Sequence, residues 1–353
     1  MNSTVSQASP GPPRALVIIL RGLSAFFIGP YGNEWVHTPT LDRLAARGIV
    51  FDQHFATDLD QARDPTSLVD LLVKAPENLG VAIAKACSDS ALRERHSLFG
   101  VRNNVYAAMK SLPTDRAACA VVGIDSLLPT WEPPKKFLDF YFGPASRHDD
   151  ETVPLVPWKG DLPPAIDPGD DRTLERIHDT FAAVMSAVDR GLAKLLAGCR
   201  QRGFGSNALT VITSDLSYPL GEQGPVGWKA PKICESIIHL PLILRLPNNE
   251  YAGSRVSALT EPGDLVGTLQ GYFSNKSHAG LWPLIRSEAN SLRDHLSIRY
   301  GAEVAVRTAD RLCIVPPDSE PRLFIKPDDR WETNDVASKR EDERDAFVKL
   351  AKS

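Results

Sequence analysis

The sequence predicts an α/β fold: a central, mostly parallel sheet flanked by helices, with a small C-terminal α+β subdomain. Three observations predict it. Ala15-Leu16-Val17-Ile18-Ile19-Leu20 is a short, unbroken, β-branched apolar run, and a strand apolar on both faces belongs inside a parallel sheet. Between Arg172 and Arg202, the residues Leu174, Ile177, Phe181, Val184, Val188, Leu192, Leu195 and Cys199 recur at every third or fourth position, which makes one helical stripe. Beyond Gly203, Leu209-Thr210-Val211-Ile212-Thr213 resumes a buried strand, so the order is strand, long helix, strand, as in layered α/β domains. After about Arg293 the runs shorten, as expected of a small antiparallel unit.

Each element follows in order. Residues 1–13 are polar and Pro-rich, and are expected to form a disordered tail. After the first strand, Thr38 caps a helix, Pro39 fits its first turn and Gly48 suits its C-terminal end; Ile49-Val50-Phe51 then resumes an extended run. Further strands are expected at 118–124, 138–142, 209–214 and 240–246. Pro154, Pro157, Pro163, Pro164 and Pro168 forbid regular structure between residues 151 and 171, which predicts a surface excursion. Another helix starts near Leu265, after Pro262-Gly263. Short strands are expected at 296–300, 303–308, 312–315 and 323–326, and a charged helix from about Val336. The expected division is 14–292 for the α/β domain and 293–353 for the C-terminal subdomain. No internal repeat is visible.

The chain has 353 residues, 42% hydrophobic and 24% charged, which is ordinary globular usage. Lys+Arg is 40 against 44 for Asp+Glu, so the net charge of −4 gives no basic footprint for nucleic acid. Cys87, Cys119, Cys199, Cys234 and Cys313 are far apart and odd in number, which fits neither a zinc ribbon nor a disulfide scaffold. Reduced thiols are expected. The first residues have neither the basic start nor the apolar core of a secretory signal, and the run 15–20 is too short to cross a membrane. A cytoplasmic protein without a membrane partner is the expectation; no protein partner is indicated.

Several stretches, in order along the chain, resemble the sulfatases of the alkaline phosphatase superfamily. Tyr31-Gly32-Asn33 followed by Thr38-Pro39-Thr40-Leu41-Asp42-Arg43-Leu44-Ala45-Ala46-Arg47-Gly48-Ile49-Val50-Phe51 is similar to that family's Tyr-Gly and Thr-Pro-x-Leu-Asp-x-Leu-Ala-x-x-Gly segment. Thr213-Ser214-Asp215 with Leu220-Gly221-Glu222 resembles Thr-Ser-Asp-His-Gly … Leu-Gly-Glu-His-Gly. Glu235-Ser236 … Leu240-Pro241-Leu242-Ile243-Leu244-Arg245-Leu246-Pro247, then Asp264-Leu265-Val266-Gly267-Thr268-Leu269, then Leu323 to Asp329 with Glu332-Thr333-Asn334, resemble later family segments. The resemblance spans about residues 14 to 340 and implies an alkaline phosphatase-like fold.

It also implies a reaction centre that this chain lacks. In active members an Asp-Asp pair after the first strand and a later Asp with His or Asn hold a divalent cation, usually calcium. Arg21 and Gly22 stand at the first pair; Asp215 is retained, and Leu216 takes the second place of the later pair. Arginine stays protonated and cannot ligate a cation. The family nucleophile is the Cys or Ser of Cys-x-Pro-x-Arg, converted to formylglycine. Alignment on spacing places Gln61 there, alignment on Pro65 places Arg63, and none of the five cysteines begins such a motif.

Two readings of each remaining candidate stay open. Arg21 and Lys229 form an anion site in place of the metal, or Arg21 pairs with Asp215 and fills the vacated cavity. Asp58, Asp60 and Asp64 recruit another cation, or form a solvated loop. Thr66 and Ser67 cap a helix start, or offer a hydroxyl nucleophile. His37 and His54 line the rim, or are structural. Trp131 and Trp158 line a carbohydrate cleft, or pin Pro-rich loops. Two functions follow. One is a catalytically degenerate sulfatase-like protein, with no cofactor, binding a small sulfated or phosphorylated ligand or a protein. The other is a sulfuric- or phosphoric-ester hydrolase with a rearranged, calcium-dependent site.

Overall fold

The computed structural model describes residues 11–64, 66–87, 99–143, 155–227, 232–276 and 278–352. Seven strands, β1 (Arg14–Leu20), β2 (Ile49–His54), β3 (Ala82–Cys87), β4 (Ala118–Ile124), β5 (Leu209–Thr213), β6 (Leu242–Arg245) and β7 (Ser254–Thr260), form one sheet in the order β3-β4-β1-β5-β6-β2-β7. Only β6 runs against the others. Helices α1 (Pro39–Ala46), α2 (Leu59–Ala62), α3 (Ser67–Glu77), α4 (Phe99–Lys110), α5 (Lys135–Phe142), α6 (Asp171–Arg200), α7 (Glu235–Ile238), α8 (Asp264–Ser274) and α9 (Trp282–Ile285) accompany it. A second, antiparallel sheet of β8 (Leu296–Tyr300), β9 (Glu303–Arg307), β10 (Arg311–Val315) and β11 (Arg322–Ile325) follows, and α10 (Glu341–Ala351) ends the chain.

The double-sided apolar character of β1 has a direct cause. Leu16, Ile18 and Leu20 enter the core beneath α6, with Phe181, Val184, Val188 and Leu192; Ala15, Val17 and Ile19 enter the opposite core, with Val69 and Leu72 of α3 and Leu265 and Leu269 of α8. β1 pairs in parallel with β4 on one side and β5 on the other, so the C-terminal ends of these three strands lie together.

Helix α1 starts where Thr38-Pro39 predicts, but the Thr38 hydroxyl does not cap it. That hydroxyl accepts from the Gly29 N–H and donates to Asp42. The free N–H groups of Thr40 and Leu41 donate instead to the buried Asp189 carboxylate of α6, each at 3.0 Å. A cap supplied from another element ties α1 to α6. Asp189→Ala is expected to lower stability by about 2 kcal/mol in urea unfolding. Gly48 is needed for a different reason from a helix cap: a Cβ there would stand 2.4 Å from the Leu244 carbonyl oxygen, where β2 begins pairing with β6.

Two expectations change. Residues 138–142 are not a strand but the second half of α5, which starts after Pro134 and packs on α6 through the Tyr141–Ser186 hydroxyl contact at 2.9 Å. Five residues, here apolar but for Asp139, hold no period long enough to separate a strand from a helix. The C-terminal helix begins at Glu341, after a 3₁₀ turn at Ala337–Lys339. The helix start expected at Thr66-Ser67 is that of α3, with Thr66 at the cap position though its hydroxyl makes no capping bond. Strands β3 and β7, both on sheet edges, and helix α4 were not expected; β3 exposes Lys85, which pairs with Asp70, and so carries no continuous apolar run. Residues 1–10 of the expected tail and Pro154 of the expected excursion lie outside the described residues. All five cysteines are unbonded. Among the described residues no helix is long and apolar enough to cross a membrane.

The second sheet docks on the first through Phe55, Leu59, Leu216 and Ile237 against Ile298, Leu312 and Phe324. Buried charges cross the same junction. Glu235 of α7 takes Arg307 of β9 at 3.1 Å and Lys326 at 3.7 Å, and Lys326 also pairs with Glu332.

Candidate active site

Open parallel sheets place their sites beyond the C-terminal ends of the strands. Here that place holds Arg21 after β1, Asp125 after β4 and Asp215 two residues past β5. Arg21 Nε donates to Asp215 Oδ2 at 2.6 Å, and the Leu216 N–H donates to Asp215 Oδ1 at 2.8 Å. Arg21 Nη1 lies 3.8 Å from Asp125, and Nη2 donates to the Arg63 carbonyl at 3.4 Å. Arg21 and Asp215 are only 5% and 4% exposed. Burial pushes the Asp215 carboxyl up, and the Arg21 charge and hydrogen bond only partly offset it. Asp125 is pushed up the same way, with Arg21 again opposing.

The positions where the resemblance expects cation ligands are taken up by packing. Gly22 has φ +84°, and a Cβ there would stand 2.7 Å from Tyr218 Cε1. A side chain at this position is both strained and blocked. Gly22→Asp is expected to destabilise the protein by about 1–3 kcal/mol, read from the urea midpoint, rather than to create a ligand. Leu216 is buried in the core between the two sheets.

A calcium ion needs six to eight oxygens. At this position one Asp215 oxygen faces a guanidinium, Arg21 offers only donors, and Gly22 and Leu216 offer no side-chain oxygen. Among the described residues no group of three His, Cys, Asp or Glu side chains is arranged to hold a metal. The residues present do not fit the cation.

The loop expected to carry the nucleophile is held by backbone contacts. Asp58 accepts from the Gln61 N–H at 2.8 Å and opens α2. Asp60 accepts from Gly301 N–H at 2.7 Å, and Asp64 accepts from Thr66 N–H at 2.9 Å and its hydroxyl at 3.1 Å. The three carboxylates therefore serve separate local bonds. Arg63 turns away onto the Tyr300 ring of β8, 4.5 Å from its centroid. Gln61 and Ser67 border a cavity of about 210 Å³ whose charged lining is Asp58, Asp215 and Glu261; no described lining residue is Lys or Arg. Pro65 and Lys229 lie outside the described residues.

The other candidates fall to structural roles. His54 is fully buried against the Thr260 hydroxyl at 3.0 Å, and burial pushes its imidazole down to about 3. His37 is exposed beside Phe140. Trp131 is buried on Phe181 and donates to the Leu127 carbonyl at 2.9 Å. Trp158 lies under Arg176 of α6, and Thr180 accepts from its backbone N–H at 2.8 Å. Both tryptophans pin loops. Asp125 and Glu261 escaped the sequence reading, because only the strand order sets them beside Asp215 and its cavity.

No family model matches the chain. N-acetylglucosamine-6-O-sulfatase of Bacteroides thetaiotaomicron is 29% identical over 126 residues, 34% of this chain and 22% of the relative. N-acetylgalactosamine-6-sulfatase of Rattus norvegicus is 23% identical over 159 residues, 43% of this chain and 30% of the relative. The matches thus span less than a third of either relative's length. Solved structures match along almost the whole chain. One, solved with its substrate D-glucosamine-2-N,6-O-disulfate, has a TM-score of 0.74 at 16% identity and covers 97% of each chain. The phosphonate monoester hydrolase of Agrobacterium radiobacter has 0.69 at 14% identity, covering 96% of this chain and 94% of its own. With a mostly parallel central sheet, a small C-terminal antiparallel sheet and such neighbours superposing along nearly its whole length, this chain has the alkaline phosphatase-like fold of the sulfatases.

Proposed function

We propose that this chain is a sulfatase-like protein that has kept the scaffold and lost the hydrolytic reaction. The observation that supports this is the buried Arg21–Asp215 pair, which sets a fixed positive charge where sulfatases would hold a cation. A guanidinium cannot be displaced by substrate as water is from a metal, nor does it activate a nucleophile; of the two hydroxyls that line the cavity with Asp215 among the described residues, those of Thr57 and Ser67, the first donates to Glu261 at 2.9 Å. Losing even one transition-state donor costs about 10²–10³ in rate. The expected result is no turnover of an aryl sulfate or aryl phosphate above background, with or without calcium, magnesium, manganese or zinc. Metal-dependent turnover abolished by Asp215→Ala would overturn the proposal.

For a ligand, we propose a small sulfated or phosphorylated molecule, the class supported by the neighbour solved with a disulfated glucosamine. In this chain such an anion meets Arg21 only by displacing Asp215. Because the Asp215 carboxyl is pushed up, falling pH neutralises it and releases the guanidinium. Inorganic sulfate titrated by calorimetry is expected to bind more tightly near pH 5 than near pH 8. Equal affinity at both, or affinity unchanged by Arg21→Lys, contradicts this ligand assignment and leaves the loss of hydrolysis standing.

A further inference from the structure

A second cavity, of about 370 Å³, shares no lining residue with the one beside Asp215. Its walls are Phe26 and Phe27 from the turn after β1, Trp35, and Trp331 from the segment after β11. These rings meet edge to face: Phe26 with Trp331 at 72°, Phe27 with Trp35 at 78°. They build a concave bowl rather than a pair of parallel plates.

Two charged side chains of opposite sign, Glu222 and the half-buried Arg330, stand in the wall, each with one buried hydrogen-bonding atom that has no partner. The Glu222 side chain is 8% exposed; its Oε2 accepts from the Leu220 N–H at 2.9 Å, and Oε1 has no hydrogen-bond partner. Arg330 lies over Phe26 at 4.0 Å and Trp331 at 5.0 Å, and its Nε has no acceptor. His178 faces Glu222, its Nε2 3.8 Å from Oε1, and its ring meets Phe27 edge-on. The Asn33 side chain is taken up by backbone bonds to Phe26, Trp35 and Val36.

A buried acceptor and a buried donor left without partners are costly unless a ligand satisfies them. The ligand must present a donor to Glu222 and an acceptor to Arg330. Glu222 and Arg330 offset one another and the only further carboxylate among the described lining residues, Glu34, is exposed to solvent, so the ligand need carry no charge. A hydroxyl supplies both functions in one group. A puckered ring with apolar C–H faces fits a bowl of edge-to-face aromatics, whereas a planar heterocycle needs a slot between parallel faces. We propose that this cavity binds a neutral, hydroxylated six-membered ring of the pyranose type, held by Glu222 and Arg330 against Phe26, Trp35 and Trp331.

The proposal stands apart from the loss of hydrolysis, and its test reads binding alone. Methyl glucopyranoside, methyl galactopyranoside and methyl mannopyranoside are titrated into the full chain, with tryptophan emission and ligand-observed NMR as readouts; uridine and guanosine form the second arm. Saturable binding of at least one glycoside is expected, weakened about tenfold by Glu222→Gln, which turns the bare acceptor into a donor while keeping shape. Trp35→Ala, on a half-buried wall residue, is expected to weaken it similarly and serves if Glu222→Gln fails to fold. Lys349→Ala, on the exposed face of α10, should leave it unchanged. No saturable glycoside binding, affinity indifferent to both cavity substitutions, or tighter binding of the nucleosides overturns the proposal.

Discussion

Arg21→Ala is expected to lower stability by about 3–5 kcal/mol, the usual consequence of removing one member of a buried ion pair. The loss comes less from the missing attraction than from Asp215, which stays buried with its Oδ2 facing no donor. The same variant should acquire a pH dependence of definite sign. Asp215 already has its carboxyl pushed above the ordinary value of 3.8, and without Arg21 only backbone N–H bonds, chiefly that of Leu216, still oppose burial. The folded state then binds the proton more tightly than the unfolded chain does. The variant should therefore lose stability as pH rises above the unfolded carboxyl value of 3.8, so that it is more stable at pH 4 than at pH 8 by a larger margin than the parent chain. Urea midpoints at the two pH values measure this. Replacing both partners with apolar residues, Arg21→Met with Asp215→Leu, should recover most of the loss, because no bare charge remains. A single variant as stable as the parent would show that the pair does not hold the site together.

The second large effect is expected at the junction of the two sheets. Glu235→Ala strips Arg307 and Lys326 of a shared buried partner, and about 3–5 kcal/mol should be lost. Burial alone would raise the Glu235 carboxyl, but Arg307, Lys326 and His239 outweigh it and hold it below its ordinary value. A depressed carboxyl contributes stability that is present above its unfolded value of 4.5 and is lost as pH falls through the folded one. Glu332, in the same cluster, is pushed the opposite way by burial, so the acid sensitivity of the parent chain should be modest. Substitution is the sharper test. Hydrogen exchange resolved along the chain should show β8 to β11 losing protection before β1 and β5. Simultaneous loss everywhere would mean that Glu235 does not control the docking of the second sheet.

These two clusters explain what was legible in the sequence. Glu235 and Glu332 belong to stretches that resemble sulfatase segments, and Asp42, Gly48 and Tyr31 belong to another. In the structure they carry packing: Gly48 passes under Leu244, Tyr31 donates to the Phe51 carbonyl at 2.8 Å, and the glutamates bind Arg307 and Lys326. A chain that keeps such residues keeps the fold, which is why β1, α1, α6 and β5 were readable from pattern and resemblance. The edge strands β3 and β7 were not, because an edge needs no double-sided apolar run. Within the site, Arg21, Gly22 and Leu216 announced themselves as departures. That Arg21 would lie on Asp215 stayed one of two readings, since the sequence carries no distance between the ends of β1 and β5. Asp125 and Glu261 were illegible for the same reason. The aromatic cavity was hidden because Trp35, Glu222 and Trp331 come from three distant segments.

Calcium titrated into the purified chain by calorimetry tests the central claim, that a guanidinium has closed the cation position, most directly. The account predicts heats of dilution only, and the same for Arg21→Lys. Stoichiometric calcium binding that disappears in Asp215→Ala would contradict it, because it would require several oxygens to gather where the structure places Arg21, Gly22 and Leu216.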